Sequence, residues 1–199
     1  MTLFLGPDAL PRCGWVGAAP EFLEYHDTEW GFPVADDRQL FERLCLESFQ
    51  SGLSWRTILA KRENFRRAFG GFDFRVVADY GPRDVARLLA DAGIVRHRGK
   101  IEAAIDNARA TVSVVREGFS FANYVWAFEP SLEETASPAS LASSSVRLSK
   151  DLKARGFRFV GPTTVFAFMQ STGLVNDHVA DCCIRPLARE GRDRFAVPN

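Results

Sequence analysis

Along this chain, hydrophobic positions recur with the three- and four-residue spacing of amphipathic helices almost from end to end. Leu40, Phe41 and Leu44 form one stripe, which Asp36 or Asp37 can cap and which runs out near Gly52. Ser54 caps the next, with Trp55, Ile58 and Leu59 inward, Phe65 and Phe69 continuing the face, and Gly70-Gly71 as the stop. Ahead of both, Pro20 opens a segment carrying Phe22, Tyr25, His26 and Glu29. Asp73 opens a short helix through Val76 and Val77. Gly81-Pro82 starts another, and residues 100–117 read as a long helix with Ile101, Ala104, Ile105, Ala108, Val112 and Val115 inward. A short helix over 121–128 follows. Residues 129–145 are rich in Ser, Ala and Pro, show no stripe and read as an exposed loop. Residues 146–155 and 162–172 are the last clear helices. There is no internal repeat and no convincing strand, although 156–160 is compatible with extended chain. The fold class expected is all-α.

Composition narrows the class. The 199 residues suffice for one large domain or two intimate lobes, and 46% hydrophobic content with 17 Phe means a packed core with aromatic surface to spare. Lys plus Arg equals Asp plus Glu at 25 each, so any contact with nucleic acid has to rest on local patches. No apolar run approaches a membrane span, and the first residues lack the basic start of a signal peptide, so a cytoplasmic location is expected. Four Cys, two of them adjacent, do not make a disulfide framework.

Four residues from opposite ends of the chain point to one metal site: Cys13 and His26, then His178 and Cys182 at i, i+4 spacing on one face of an expected helix. Two sulfurs and two imidazoles suit tetrahedral Zn²⁺, and with four protein ligands no position is left open for substrate. The spacing between the halves matches no standard finger, and isolated Cys and His are more often ordinary buried side chains. Glu47 follows Leu40 and Leu44 on the apolar face of its helix, so it is either a satisfied buried carboxylate or a working group at a pocket wall. Tyr25, Trp30 and Trp55 fall at or near helix ends, where large rings serve core or pocket. The connection 93–100 carries Arg96, His97 and Arg98 between Gly93 and Gly99, followed by Lys100. It reads as a solvated turn or as a cradle for one or two DNA phosphates.

Taken together, the segments Arg12-Cys-Gly-Trp15, Tyr25-His-Asp-Thr-Glu-Trp-Gly31, Leu53-Ser-Trp55, Lys61-Arg-Glu-Asn64, Asp91-Ala-Gly-Ile94, Arg96-His-Arg-Gly-Lys100, Gly156-Phe-Arg-Phe-Val-Gly161 and Gly173-Leu-Val-Asn-Asp-His-Val179 closely resemble the bacterial DNA-3-methyladenine glycosylase I family. The resemblance implies a helix-hairpin-helix glycosylase fold over residues 12–185, with the hairpin at 93–100. Residues 1–11 are then a mobile extension and 186–199 a tail. It implies a structural zinc held by Cys13, His26, His178 and Cys182, which joins the terminal segments. It implies a base pocket with Glu47 and Tyr25 as the catalytic pair, walled by Trp30 and Trp55. DNA-backbone contacts fall on Gly93, Arg96, Arg98, Gly99 and Lys100. Phe22 stands where the family leads one to expect tyrosine, and Phe49 where glutamine is expected; both are placed at the base. The implied activity is flipping and hydrolytic excision of 3-methyladenine from alkylated double-stranded DNA by a monomer, without strand cleavage. The alternatives are a zinc-braced DNA-binding module without catalysis, a zinc hydrolase, and a glycosylase whose scope has shifted toward 3-methylguanine.

Overall fold

The computed structural model describes residues 2–131 and 138–198. Two strands open it, β1 (Leu3–Leu5) and β2 (Pro11–Cys13), paired antiparallel with Leu3 opposite Cys13. After a 3₁₀ turn over Gly14–Ala18 the described chain is helical. Its helices are α1 (Phe22–Thr28), α2 (Asp37–Gln50), α3 (Trp55–Ala68), α4 (Phe74–Ala78), α5 (Pro82–Ala90), α6 (Arg98–Arg116), α7 (Phe121–Trp126), α8 (Pro138–Ala154), α9 (Pro162–Ser171) and α10 (Arg185–Asp193).

The helix starts follow local chemistry. Asp36 takes the backbone N–H of Gln39 at 2.8 Å to cap α2, and Ser54 takes that of Thr57 at 3.2 Å to cap α3. Asp73 caps α4 through Arg75 N–H, and Pro82 and Pro162 stand in the first turns of α5 and α9. Asp37 does different work: its carboxylate accepts the N–H of Ala122 at 2.8 Å and ties α2 to α7.

α2 is the central element, packed against α3, α6, α7 and α9. It buries Leu40, Phe41, Leu44 and Phe49 completely or nearly so, in a core that continues through Phe65, Phe69, Phe72 and Phe74. Neighbouring rings in this series stack, tilt or meet edge to face at 4.7–6.3 Å. A second, smaller cluster of Cys13, Val16, Cys182 and Ile184 joins the two ends of the chain.

The structure departs from the sequence reading in four places. The opening segment does contain strands: three residues each, with only Phe4 and the end of β2 turned inward, are too short to show alternation. Helix α8 begins at Pro138, inside the stretch read as loop, because its inward face uses Ser144, Ser145 and Ser149 beside Leu148 and Leu152. Serines on a buried face leave no apolar stripe to read. The part of that expected loop at 132–137 lies outside the described residues. Helix α10 occupies most of the expected tail; it buries only Ala188, and Arg192 pairs with Glu129 at 2.6 Å. Finally, His178 and Cys182 sit in the turns between α9 and α10 rather than on a helix. The Cys182 N–H to Val179 carbonyl bond of 3.0 Å supplies the reversal that a helical turn was expected to give.

Candidate base cavity and metal centre

Cys13, His26, His178 and Cys182 converge, all four buried, with their ligand atoms within 4.8 Å of one another. His178 Nδ1 lies 3.1 Å from His26 Nε2, 3.7 Å from Cys13 Sγ and 3.6 Å from Cys182 Sγ, and Cys182 Sγ lies 3.5 Å from His26 Nε2. Tetrahedral coordination with Zn–S of about 2.3 Å and Zn–N of about 2.0–2.1 Å places ligand atoms about 3.3–3.8 Å apart. The residues fit.

The hydrogen-bond chemistry agrees. His26 gives its other nitrogen, Nδ1, to Asp27 at 2.7 Å, and His178 gives Nε2 to the carbonyl of Trp30 at 3.1 Å. Both rings then turn a bare lone pair toward the same point, beside the two sulfurs; a cation bound by deprotonated thiols satisfies all four ligand atoms at once. Burial holds both imidazoles below the usual histidine range, His178 at about 4, and raises the Cys13 thiol to about 12. Those directions describe the ligands without a cation, which would reverse the thiol shift. Asp27 is itself gripped by the Arg12 guanidinium at 2.7–3.0 Å, and Arg12 reaches Asp8 in the hairpin turn at 2.7 Å. The Cys183 N–H donates to Pro11 at 2.8 Å, so β2 and the C-terminal turns are joined beside the cluster. Cys182, not Cys183, faces the other ligands.

Gly31 makes the site possible. Its φ is +84°, and a Cβ there would stand 2.8 Å from His178 Nε2. Trp30 packs edge to face on the His178 ring at 4.7 Å and parallel to His26 at 6.1 Å. The Cys₂His₂ cluster therefore packs against a ring that also lines a cavity.

That cavity, of about 550 Å³, has a size suited to a small planar ligand. Phe22 and Tyr25 enter from α1, Glu47 and Gln50 from α2, Trp55 from the first position of α3, Gln170 from α9, and Trp15 and Trp30 from flanking turns. Tyr25 and Trp55 lie 5.2 Å apart and Trp15 and Trp30 5.3 Å apart, giving a box of aromatic walls. Inside it, Glu47 is 6% exposed, and burial pushes its carboxyl up to about 8 against a smaller opposing pull from Arg43 and Ser171. Burial and the neighbouring Glu47 also raise the Tyr25 phenol well above its ordinary value. The indole N–H of Trp55 is the one buried side-chain N or O atom among the described residues without a partner, an arrangement that costs about 1–3 kcal/mol unless a ligand accepts it.

Of the residues expected at the base, Tyr25, Trp30, Trp55, Glu47 and Phe22 line this cavity and Phe49 does not. Phe49 is 1% exposed and packs on Phe65 at 4.7 Å and Phe69 at 5.8 Å in the core. The next residue, Gln50, faces the cavity instead, so the pocket does hold a glutamine. Trp15, Gln170 and Asp177 also line it and were missed. Trp15 and Asp177 each sit within two residues of a metal ligand in sequence, which was the available signal; Gln170 gave none.

The turn between α5 and α6 rests on α3, where Lys61 Nζ donates to Ala92 at 2.9 Å and Asn64 to Gly93 at 3.2 Å. Gly93 N–H is already used by Asp91 at 2.7 Å. His97 caps α6 by accepting the Lys100 N–H at 3.2 Å, which leaves Arg98 and Gly99 as the unpaired donors of the first turn. Arg96 and Arg98 are exposed, and Arg98 also reaches Glu102 at 3.4 Å. Lys100 is corrected: it is buried, and its ammonium donates to the carbonyls of Phe49, at 2.9 Å, and Ser51 at the end of α2. It stabilises a helix C-terminus and is not free for a phosphate.

The model of the methyladenine glycosylase family matches residues 15–185. DNA-3-methyladenine glycosylase 1 of Escherichia coli (strain K12) is 49% identical over 183 residues, covering 89% of this chain and 98% of that protein. A crystal structure of 3-methyladenine DNA glycosylase I superposes with a TM-score of 0.77 at 48% identity, over 86% of this chain and 98% of that one. A Tyr→Phe variant of 3-methyladenine DNA glycosylase I, solved with 3-methyladenine bound, superposes with a TM-score of 0.78 at 36% identity, over 87% and 97%. With the family match spanning most of its length, this chain belongs to the methyladenine glycosylase family.

Proposed function

We propose that this protein excises 3-methyladenine from alkylated duplex DNA, flipping the damaged nucleotide into the aromatic cavity and hydrolysing its glycosidic bond without cutting the strand. The observation that carries the reading is Glu47: a carboxyl buried in the cavity that Tyr25, Trp30 and Trp55 line, where burial favours its neutral form until a cation enters. N3-methylation gives the adenine ring a positive charge. A cationic purine between these walls gains about 0.5–2 kcal/mol per favourable ring contact. Its charge also favours ionised Glu47: the carboxyl proton passes to solvent as the cationic base enters, and the carboxylate then accepts a hydrogen bond from the exocyclic amine.

The same charge makes the base a good leaving group. The C1′–N9 bond breaks with its electron pair going to the base, which departs neutral; water adds to C1′ and gives up a proton. Tyr25 sets a polar contact, Phe22 keeps aromatic surface without a hydroxyl, and Gln50 and the free indole N–H of Trp55 offer hydrogen bonds to the base edge. No lysine lines the cavity among the described residues, which supports hydrolysis over a covalent, strand-cleaving route. The relative solved with 3-methyladenine supports the choice of base.

One zinc ion fits the Cys₂His₂ cluster best, and its four protein ligands make it structural. It braces Trp30 and clips the termini, while Arg96, Arg98 and the N–H of Gly99 steady a phosphate. We assign a monomer acting in the cytoplasm; no helix is long and apolar enough to cross a membrane among the described residues. The test is incubation of the purified protein with methylated duplex DNA and chromatographic identification of released bases. Free 3-methyladenine with intact strands is expected. Release mainly of 3-methylguanine would move the scope, and no release from folded, metal-loaded protein would reduce the chain to a DNA-binding module.

A further inference from the structure

We propose that Phe159 is a DNA-contact residue, packing its ring on the deoxyribose of the nucleotide whose phosphate rests on the α5–α6 turn. The proposal builds on the reading of this chain as a duplex-DNA enzyme. Phe159 has φ of +56°, in the left-handed region where an aromatic side chain is strained. The strain is imposed from both sides. Asn107 of α6, fully buried, accepts the Arg158 N–H at 2.7 Å and donates to the Arg158 carbonyl at 3.1 Å. Ser149 of α8, 1% exposed, donates to the Val160 carbonyl at 2.6 Å. Two buried polar side chains thus lock the residues before and after Phe159.

Core packing does not account for the ring. Phe157 and Val160 on either side are 3% and 1% exposed, whereas Phe159 is 37% exposed. It points instead along the turn: its ring centroid lies 6.2 Å from that of His97, and a Cβ on Gly99 would stand 3.8 Å from its Cζ. Arg158 precedes it and is anchored to Asp106 at 2.7 Å, and the exposed Arg96 and Arg98 flank His97, on which it packs. An apolar disc set among arginines and the first-turn N–H groups of a long helix complements a sugar flanked by phosphates.

The experiment uses Phe159→Asn and Phe159→Gly, two residues that tolerate positive φ, so that loss of the ring is separated from loss of the fold. Duplex DNA affinity is measured across a salt series, alongside thermal melting and with Arg96→Ala as the charge control. Both Phe159 variants are expected to melt at or above the parent temperature and to bind DNA about fivefold or more weakly at every salt concentration. The slope of log affinity against log salt should stay unchanged for them, because an apolar contact releases no counterions, and should fall by about 0.9 for Arg96→Ala. Affinity within twofold of the parent overturns the proposal, and so does a loss accompanied by a reduced slope. Failure of the parent protein to bind duplex DNA overturns the underlying functional reading instead.

Discussion

Replacing Glu47 by Gln isolates the electrostatic feature on which the cavity depends. In the unfolded chain a glutamate ionises at 4.5, whereas in the folded protein burial raises this carboxyl to about 8. A carboxyl whose folded pKa is raised favours the native state below 4.5, and that advantage is lost as pH rises to about 8. Each pKa unit is worth about 1.4 kcal/mol, so at pH 7 the wild type gives up as much as about 3 kcal/mol to ionisation of its unfolded state. Gln keeps the shape and never ionises. The variant should therefore melt close to the wild type at pH 5 and increasingly above it up to pH 8. At 2–4 °C per kcal/mol the gain at pH 7 reaches as much as about 6–12 °C. The assay is thermal unfolding of both proteins with metal bound, from pH 5 to pH 9. Parallel melting profiles at constant offset would refute the reasoning, since they would mean that Glu47 ionises in the fold as readily as in water.

Removing the metal with a chelator is expected to lower the melting temperature and abolish base release together; loss of release from protein that stays folded would make the metal catalytic. Gly31→Ala combines positive φ, costing about 1–2 kcal/mol, with a Cβ 2.8 Å from His178 Nε2. It should purify with reduced metal content, and a full complement at unchanged stability would contradict the packing. Lys100→Met takes the ammonium from the Phe49 and Ser51 carbonyls and should destabilise by about 1.5–3 kcal/mol in denaturant unfolding, with the salt slope of DNA binding unchanged. A lower slope would return Lys100 to the DNA surface.

What could be read from the sequence was set by how locally each feature is encoded. Asp36, Ser54 and Asp73 act on backbone groups two or three residues away, so α2, α3 and α4 were legible at their starts. The four metal ligands were legible as chemistry, yet the expected helix under His178 and Cys182 was wrong, because a turn produces the same convergence. Glu47 stood out through its place on an apolar face, and the structure puts that face partly on a cavity rather than wholly in the core. Phe49 and Gln50 show the limit: one residue on a helix turns a side chain by about 100°, enough to exchange core and pocket. Lys100 belongs to a cluster that looks uniformly exposed, and only tertiary packing shows its ammonium capping α2. Helix α8 hid behind buried serines, and the strained backbone at Phe159 left no trace in composition.

The central claim is that Glu47 and its aromatic walls excise the base, and single-turnover release of 3-methyladenine by wild type and Glu47→Ala tests it most directly. Metal content and circular dichroism should match between the two, with release slowed by roughly 10²-fold or more in the variant. Near-normal release from folded, metal-loaded Glu47→Ala would contradict the account and place the chemistry elsewhere in the molecule.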